Sequence, residues 1–304
     1  MKLSAIILSI FLVSSFVIKG QNLSERLGYD AKDKLLILHA DDLGVAHAEN
    51  QGSFDAIAEG MVNSASVMVP CPWFNEVVQW AKQNPQVDLG LHLTLTAEWD
   101  LLKWGPVAPS SEVPGLVNEQ GYFYSNVPKV IENASVAEVK TELRAQIDRA
   151  ISMGLQPSHL DSHMGSLFND KFFQVYLELG REYGIPVMVS KNVLDMFPGE
   201  KPVIPADVLL INKVHMAFPE DFETGMEAFY TNTLRSLEAG VNVLLIHPAY
   251  NTEEMQAVTI NHPSYGAEWR QQDFDFFTSE TCKRILNEEK IRLITWKQLG
   301  KLAE

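Results

Sequence analysis

The chain has 304 residues, of which 46% are hydrophobic and 21% are charged, as is ordinary for a globular protein. This length suffices for one large α/β domain or for two smaller ones. The formal net charge of −15 repels phosphate backbones, which argues against nucleic acid and anionic membranes as partners and suits a neutral substrate such as a sugar.

The start of the chain predicts export. Met1–Gly20 holds an apolar segment that is short for a membrane span and typical of a signal peptide. We therefore expect a periplasmic or secreted protein whose single domain covers residues 21–304, with an uncleaved signal anchor as the alternative. Cys71 and Cys282 are the only cysteines, and in an exported protein they are either buried thiols or one disulfide.

The segment Leu35–Gly44 has the sequence LLILHADDLG and predicts a buried parallel strand that ends at two aspartates. Asp41 and Asp42 then lie at the carboxyl end of the strand, where α/β folds build their ligand sites. Two adjacent carboxylates there need a cation or a shared proton to offset their repulsion. The alternative is a solvated pair of aspartates that caps the following helix.

Helix and strand patterns alternate along the rest of the chain. The first half predicts helix Ala48–Gly60, strand Val62–Val69, helix Trp73–Lys82, strand Val87–Thr96, loop Ala97–Val130, helix Ser135–Gly154 and strand Pro157–His163. The second half predicts helix Lys171–Gly184, strand Pro186–Ser190, irregular Lys191–Glu220, helix Phe222–Gly240, strand Val241–Ile246, loop Asn251–Ala267, helix Glu268–Glu289 and strand Ile291–Trp296. Such alternation predicts parallel strands with helical crossovers, best matched by a TIM-like (β/α) barrel of seven to eight strands in one domain. An open doubly wound sheet is the alternative.

The loop Ala97–Val130 is long and rich in proline, glycine and aromatic residues. Long segments of this kind inside a compact chain are usually functional loops or lids. Its aromatic side chains are suited either to stacking against a sugar or to closing the end of the barrel, and the sequence leaves both open.

Five candidate site residues lie at or near the ends of four predicted strands: Asp41, Asp42, His92, His163 and His247. Because the carboxyl ends of parallel strands meet at one face, we expect these side chains to converge. Each has a plainer interpretation when taken alone: a core histidine, a polar turn in the HLDSH segment, or a strand terminus. Four such coincidences at four strand ends are much less common than one.

One aspartate and two histidines suit a divalent cation that binds water and a substrate oxygen, which makes hydrolysis feasible. A second carboxylate beside the ligand can take a proton from water, and a histidine opposite can protonate the leaving group. The pair Asp41 and Asp42 offers such a base and a ligand, and His247 is the candidate acid. A serine nucleophile at Ser162 is disfavoured because the chain has no GxSxG turn.

Four motifs in this order resemble the YdjC-like carbohydrate deacetylases, a family of chitooligosaccharide deacetylases. They are HADDLG at His39–Gly44, GLHLTL at Gly90–Leu95, HLDSH at His159–His163 and LLIHP at Leu244–Pro248. The resemblance covers nearly the whole chain after residue 20. It implies a distorted (β/α) barrel and removal of an N- or O-acetyl group from an acetylated oligosaccharide or amino sugar.

The resemblance also implies the role of each residue. Asp42, His92 and His163 would hold one divalent metal ion, Mg²⁺ or Zn²⁺. Asp41 would be the general base and His247 the acid. Asp161 would orient a metal-binding histidine, as carboxylates behind metal ligands do.

The chain departs from the family pattern at two places. The family usually has asparagine where this chain has His39, and further histidines where it has Met164–Ser166. His39 is then a core residue, an additional ligand or a partner that tunes the pKa of Asp41. Two other functions stay open: a metallohydrolase of a non-sugar amide or a phosphoester, and a glycan-binding barrel without catalysis. A homodimer is a further expectation.

Overall fold

The computed structural model describes residues 22–197 and 202–302. The predicted signal peptide, Met1–Gly20, lies outside this part of the chain. Within the described residues, no helix combines the length and the apolar character that crossing a membrane requires.

In the described part of the chain, nine short strands, all paired in parallel, form the centre of the molecule. They are β1 Lys34–Leu43, β2 Ser64–Val67, β3 Leu89–Leu93, β4 Leu160–Ser162, β5 Val189–Ser190, β6 Leu210–Ile211, β7 Lys213–His215, β8 Gly240–Ile246 and β9 Arg292–Leu293. Seven strands make one sheet in the order β4-β3-β2-β1-β8-β7, with β9 paired to the beginning of β1, and β5 pairs β6 separately. The predicted parallel arrangement is confirmed.

Backbone hydrogen bonds curl these strands into a distorted barrel. The Leu160 N–H donates to Pro186 O and the Met188 N–H donates to Leu160 O, each at 2.8 Å, which joins β4 to the chain entering β5. Strand β6 continues through Asn212 into β7, which pairs β8. The single-domain TIM-like barrel is therefore the fold, and the open doubly wound sheet is not.

Twelve helices surround the barrel within the described residues. They are α1 Leu23–Arg26, α2 His47–Glu59, α3 Phe74–Gln83, α4 Val127–Asn133, α5 Val136–Ser152, α6 Phe173–Tyr183, α7 Pro219–Thr224, α8 Met226–Arg235, α9 Glu253–Val258, α10 Ala267–Phe277, α11 Glu280–Glu288 and α12 Trp296–Gly300. Two predicted continuous helices are each broken in two. Gly225, at φ 116°, separates α7 from α8, and the hydroxyl of Ser279 caps the start of α11.

Strand β1 is buried on both faces. Leu35 and Ile37 lie on the same face as His39 and Asp41, because side chains alternate along a strand. They belong to a fully buried apolar cluster with Val241 and with other residues of β6, β8 and α12. This cluster forms an apolar floor beneath the polar residues near the end of β1.

The aromatic residues of the long loop mostly serve as packing. Trp99, Trp104 and Phe123 are almost fully buried, whereas Tyr122 is exposed. These three aromatic side chains therefore belong to the apolar core, and sugar stacking by the loop stays a prediction. The loop also contains α4, which the sequence did not predict.

Two side chains of α5 anchor this loop and the end of β3. The Glu142 carboxylate accepts hydrogen bonds from the backbone N–H groups of Val107 and Ala108, both at 2.9 Å. The Gln146 side chain accepts from Thr94 N and donates back to Thr94 O. The helix thereby holds the chain that leaves β3 toward the candidate site.

Cys71 and Cys282 are both buried free thiols. The alternative in which they form a disulfide is therefore wrong.

Candidate active site

The five predicted residues lie together at the carboxyl end of the barrel. Asp41 and Asp42 lie near the carboxyl end of β1, and His92 lies in β3. His163 follows β4 directly, and His247 follows β8 directly. The side chains of the first four are at least nine-tenths buried, and that of His247 is 14% exposed. Parallel strands bring these residues together although more than 200 positions separate the first from the last.

Asp42, His92 and His163 form a ready donor set for a cation. Asp42 Oδ1 lies 3.2 Å from His163 Nδ1 and 3.4 Å from His92 Nε2, and the three donor atoms lie within 4.8 Å of one another. Asp42 Oδ1 is buried and has no hydrogen-bond partner in the described chain. A buried carboxylate oxygen without a partner, flanked by two imidazole nitrogens, fits a divalent metal ion.

The backbone at Asp42 explains how two consecutive aspartates reach one site. Neighbouring side chains of a regular strand point to opposite faces. Asp42 adopts φ 67°, which is uncommon outside glycine, and the pairing of β1 with β2 shifts between Ala40 and Leu43. Because of this irregularity, Asp42 points toward the carboxyl end of the barrel, while Asp41 stays on the inner face of the strand.

A carboxylate lies behind each of the two histidines. Asp161 Oδ1 is 2.8 Å from His92 Nδ1, as the resemblance implied, and the Glu98 oxygens are 3.0 and 3.1 Å from His163 Nε2. A proton on each of these outer nitrogens leaves His92 Nε2 and His163 Nδ1 free to bind a cation. Glu98 was not predicted, because it lies in the irregular loop and belongs to none of the four motifs.

Arg270, also not predicted, holds the second oxygen of Asp42. The guanidinium is 1% exposed and donates to Asp42 Oδ2 and to Glu49 Oε2, both at 2.7 Å. Burial alone would raise the pKa of Asp42, but Arg270, His163 and His92 lower it well below its usual value. Asp42 is therefore ionised and offers a single oxygen to a cation.

The surrounding carboxylates favour positive charge at this place. Burial alone would lower the pKa of His163, but Glu98 and Asp42 raise it to about 9. The pKa of His92 is likewise raised against burial, chiefly by the charges of Asp161 and Asp41. The negative charges that favour protons on these rings would also favour a bound cation.

His247 lies across the site from the metal donors. Its Nε2 is 3.9 Å from Asp41 Oδ2, and its backbone N–H donates to Asp273 Oδ2 at 2.8 Å. The ring also makes an edge contact with Tyr265. Burial lowers the pKa of His247 to about 4, so the resting ring is neutral at pH 7.

Comparison with known proteins shows one family over most of the chain. The model of the YdjC-like protein family matches residues 35–288. A carbohydrate deacetylase of Thermus thermophilus is 31% identical over 284 residues, which covers 91% of this chain and 97% of that protein. A carbohydrate deacetylase of Thermoanaerobacter pseudethanolicus is 28% identical over 263 residues, covering 86% and 98%.

A solved structure supports the same relationship. The crystal structure of a protein of Enterococcus faecalis V583, named for cellobiose-phosphate cleavage, aligns with a TM-score of 0.73 and 27% sequence identity. The alignment covers 88% of this chain and 99% of that protein. The family model over residues 35–288 includes all five candidate residues.

Proposed function

The chain belongs to the YdjC-like protein family, and we propose that it is a metal-dependent hydrolase that removes acetyl groups from acetylated amino sugars or oligosaccharides. The names of its relatives support the substrate class. The observation that carries the proposal is the buried Asp42 Oδ1, which has no hydrogen-bond partner in the described chain and lies between two imidazole nitrogens. Asp41 and His247 lie close enough to this point to move protons at a bound acetyl group.

Asp42, His92 and His163 hold the metal ion in this proposal. Asp161 and Glu98 fix the two imidazole rings from behind. A bound divalent ion would polarise the acetyl carbonyl and lower the pKa of water toward neutrality. Two nitrogens and one carboxylate oxygen favour Zn²⁺ over Mg²⁺, because Mg²⁺ prefers oxygen ligands and Arg270 occupies the other oxygen of Asp42.

Asp41 and His247 carry the proton transfers. Asp41 accepts a proton from the water whose oxygen bonds to the acetyl carbon. The bond from that carbon to the sugar nitrogen or oxygen then breaks, and His247 Nε2 delivers a proton to the leaving atom. Because the resting ring is neutral, it must first receive that proton, and Asp41 Oδ2 at 3.9 Å is the nearby source. Acetate and the free amine or hydroxyl are the products.

Hydrolysis of a phosphoester gains no support from Arg270. A phosphate group would need free donors from such a side chain. Each terminal nitrogen of this guanidinium donates to a carboxylate and its Nε donates to Tyr265 O, and its two remaining N–H groups are buried because the side chain is only 1% exposed. We therefore keep deacetylation as the one proposed reaction.

The test is release of acetate from a panel of acetylated mono- and oligosaccharides, with and without a chelator. We expect chelation to abolish release, added metal to restore it, and Asp41→Asn to reduce kcat by roughly 100-fold or more. Asp148→Asn is the matched control, because Asp148 lies on the outside of α5 and contacts only Tyr183 among side chains. Acetate release that persists under chelation contradicts the metal, and a fully active Asp41→Asn contradicts the base.

We also propose export, on the sequence of Met1–Gly20 alone. Amino-terminal sequencing of the protein recovered from its native compartment tests this. A cytoplasmic protein that retains Met1 contradicts it.

A further inference from the structure

His39 is a fully buried histidine that the proposed reaction does not use. It lies in β1, two residues before Asp41, and its exposed fraction is 0%. It is not part of the donor set formed by Asp42, His92 and His163. A fully buried polar ring needs hydrogen-bond partners, and these partners indicate what it does.

The two nitrogens of His39 face different groups. Nδ1 lies 2.9 Å from the hydroxyl of Ser64. Nε2 lies 3.1 Å from Asp41 Oδ1 and 2.9 Å from Asp161 Oδ2. Ser66 adds a hydroxyl 3.1 Å from the same nitrogen, and this hydroxyl donates to Asp161 at 2.7 Å.

His39 Nε2 thus lies between two carboxylate oxygens, one of Asp41 and one of Asp161. Two other donors lie farther from Asp41 Oδ1, the Ser66 hydroxyl at 3.4 Å and His92 Nδ1 at 4.0 Å. Asp161 uses its other oxygen for His92, so it cannot move toward Asp41 without releasing that histidine. A carboxylate accepts hydrogen bonds and cannot donate one when ionised. Burial alone would lower the pKa of His39, but Asp161 and Asp41 raise it to about 9, consistent with a ring that donates from Nε2.

We propose that His39 is a positioning residue that holds Asp41 Oδ1, so that Oδ2 faces the mouth and His247. This inference rests on the proposed role of Asp41 as the base. One oxygen of the carboxylate is then fixed by β1, β2 and β4, and the other is left for the proton of the attacking water. Without the ring, repulsion from Asp161 turns the Asp41 side chain out of this orientation.

Two substitutions separate positioning from mere packing. In His39→Gln the side-chain amide nitrogen can take the place of Nε2 and donate to both carboxylates. In His39→Ala this donor is lost and a cavity remains. Ser64→Ala is the matched control, because it removes the contact at Nδ1 and leaves both carboxylate contacts in place.

We expect His39→Ala to lower kcat for acetate release by roughly 10- to 100-fold, because a misplaced base costs about this much. KM and the affinity of the metal-free protein for Zn²⁺, measured by calorimetric titration, should stay within about threefold of wild type, since the binding groups are unchanged. His39→Gln should recover most of the lost kcat, and Ser64→Ala should stay within about twofold. Thermal unfolding shows which variants are folded.

Three results would overturn the proposal: an unchanged kcat in His39→Ala, a folded His39→Gln as inactive as the alanine variant, or a Zn²⁺ affinity that falls in parallel with kcat. The last result would mean that the ring acts through His92. If wild-type protein releases no acetate, the proposed function fails, but crystal structures still test the positioning. An Asp41 side chain in the same orientation in His39→Ala and wild type would then refute it.

Discussion

Each histidine of the proposed metal site points a different ring nitrogen at Asp42. His92 uses Nε2 and His163 uses Nδ1, and in each case a carboxylate takes the opposite nitrogen. Since a neutral imidazole has one donor and one acceptor nitrogen, the carboxylates decide which nitrogen is free for the metal. Asp161 and Glu98 therefore help to define the site although they are not its ligands.

Removal of the carboxylate behind His163 is expected to weaken metal binding. Glu98→Gln should lower the affinity of the metal-free protein for Zn²⁺ by about 10- to 100-fold, the usual effect of losing such a partner. Calorimetric titration measures this directly. Glu280→Gln is the control, because Glu280 is exposed and paired only with Lys283 one helical turn away. Equal affinities in the two variants would show that Glu98 does not orient His163.

Arg270 is expected to be essential for folding stability. Arg270→Met leaves Asp42 and Glu49 buried without their shared cation, which should lower the free energy of unfolding by about 3–5 kcal/mol. Denaturant unfolding measures the loss, and the added substitution Glu49→Gln should restore part of it. Arg284→Met, at an exposed pair with Glu288, should cost less than about 1 kcal/mol. If Arg270→Met also lowers the free energy of unfolding by less than about 1 kcal/mol, the buried side chains of Asp42 and Glu49 do not need the guanidinium.

Among single residues, the sequence predicted the five candidates and Asp161 but missed Glu98 and Arg270. Asp42 and His247 could be found because each follows an apolar run that predicts a strand end, whereas His92 and His163 also lie in motifs of the family resemblance. Arg270 lies 228 positions from Asp42, near the start of the predicted helix Glu268–Glu289, so no local pattern connects the two. Glu98 is one acid in an irregular loop.

Helix α5 holds the loop after β3 through a buried acid. Glu142 is 0% exposed and accepts from two backbone N–H groups and from Gln146. Burial raises the pKa of Glu142 from 4.5 to about 7 despite these donors. Between these two pKa values, Glu142 is therefore protonated in the folded chain and ionised in the unfolded chain.

This difference predicts a pH dependence of stability. Between about pH 4.5 and 7 the folded state binds more protons at Glu142 than the unfolded state, so this residue makes stability fall as pH rises. The contribution is on the order of 3 kcal/mol. Unfolding of wild type and Glu142→Gln across this range measures it, and the difference between the two should change with pH in that direction. Parallel stability curves would contradict the prediction.

The strands and helices that the sequence predicted have the correct type but not the correct ends. Strands β6 and β7 and helix α9 were missed, because they lie in segments predicted as irregular or loop. The predicted strand Val62–Val69 is observed as β2, Ser64–Val67, because apolar residues beyond it pack without joining the sheet. The helix predicted over Phe222–Gly240 is interrupted at Gly225, since amphipathic spacing continues across a turn that only the backbone reveals. Hydrophobic patterns indicate which residues are buried but not where strand pairing or a helix ends.

The alternation of strands and helices in the sequence predicts the barrel but does not predict its distortion. Strands β5 and β6 have two residues each, and the closure from β4 uses backbone bonds around Leu160. Such short pairings leave no periodic pattern in the sequence. The convergence of the site could be predicted because it depends only on the strands being parallel, whatever the regularity of the barrel.

The strand that carries the aspartates has its most extensive pairing with β8 and a further neighbour in β9, near the end of the chain. A nascent polypeptide on the ribosome has therefore made His39, Asp41 and Asp42 long before their partners at 240–246 and 292–293 exist. Arg270, which neutralises Asp42, is also synthesised late. The candidate site is thus assembled only after residues 240–293 have been synthesised, and a fragment truncated before residue 240 holds these acids without the structure that arranges them.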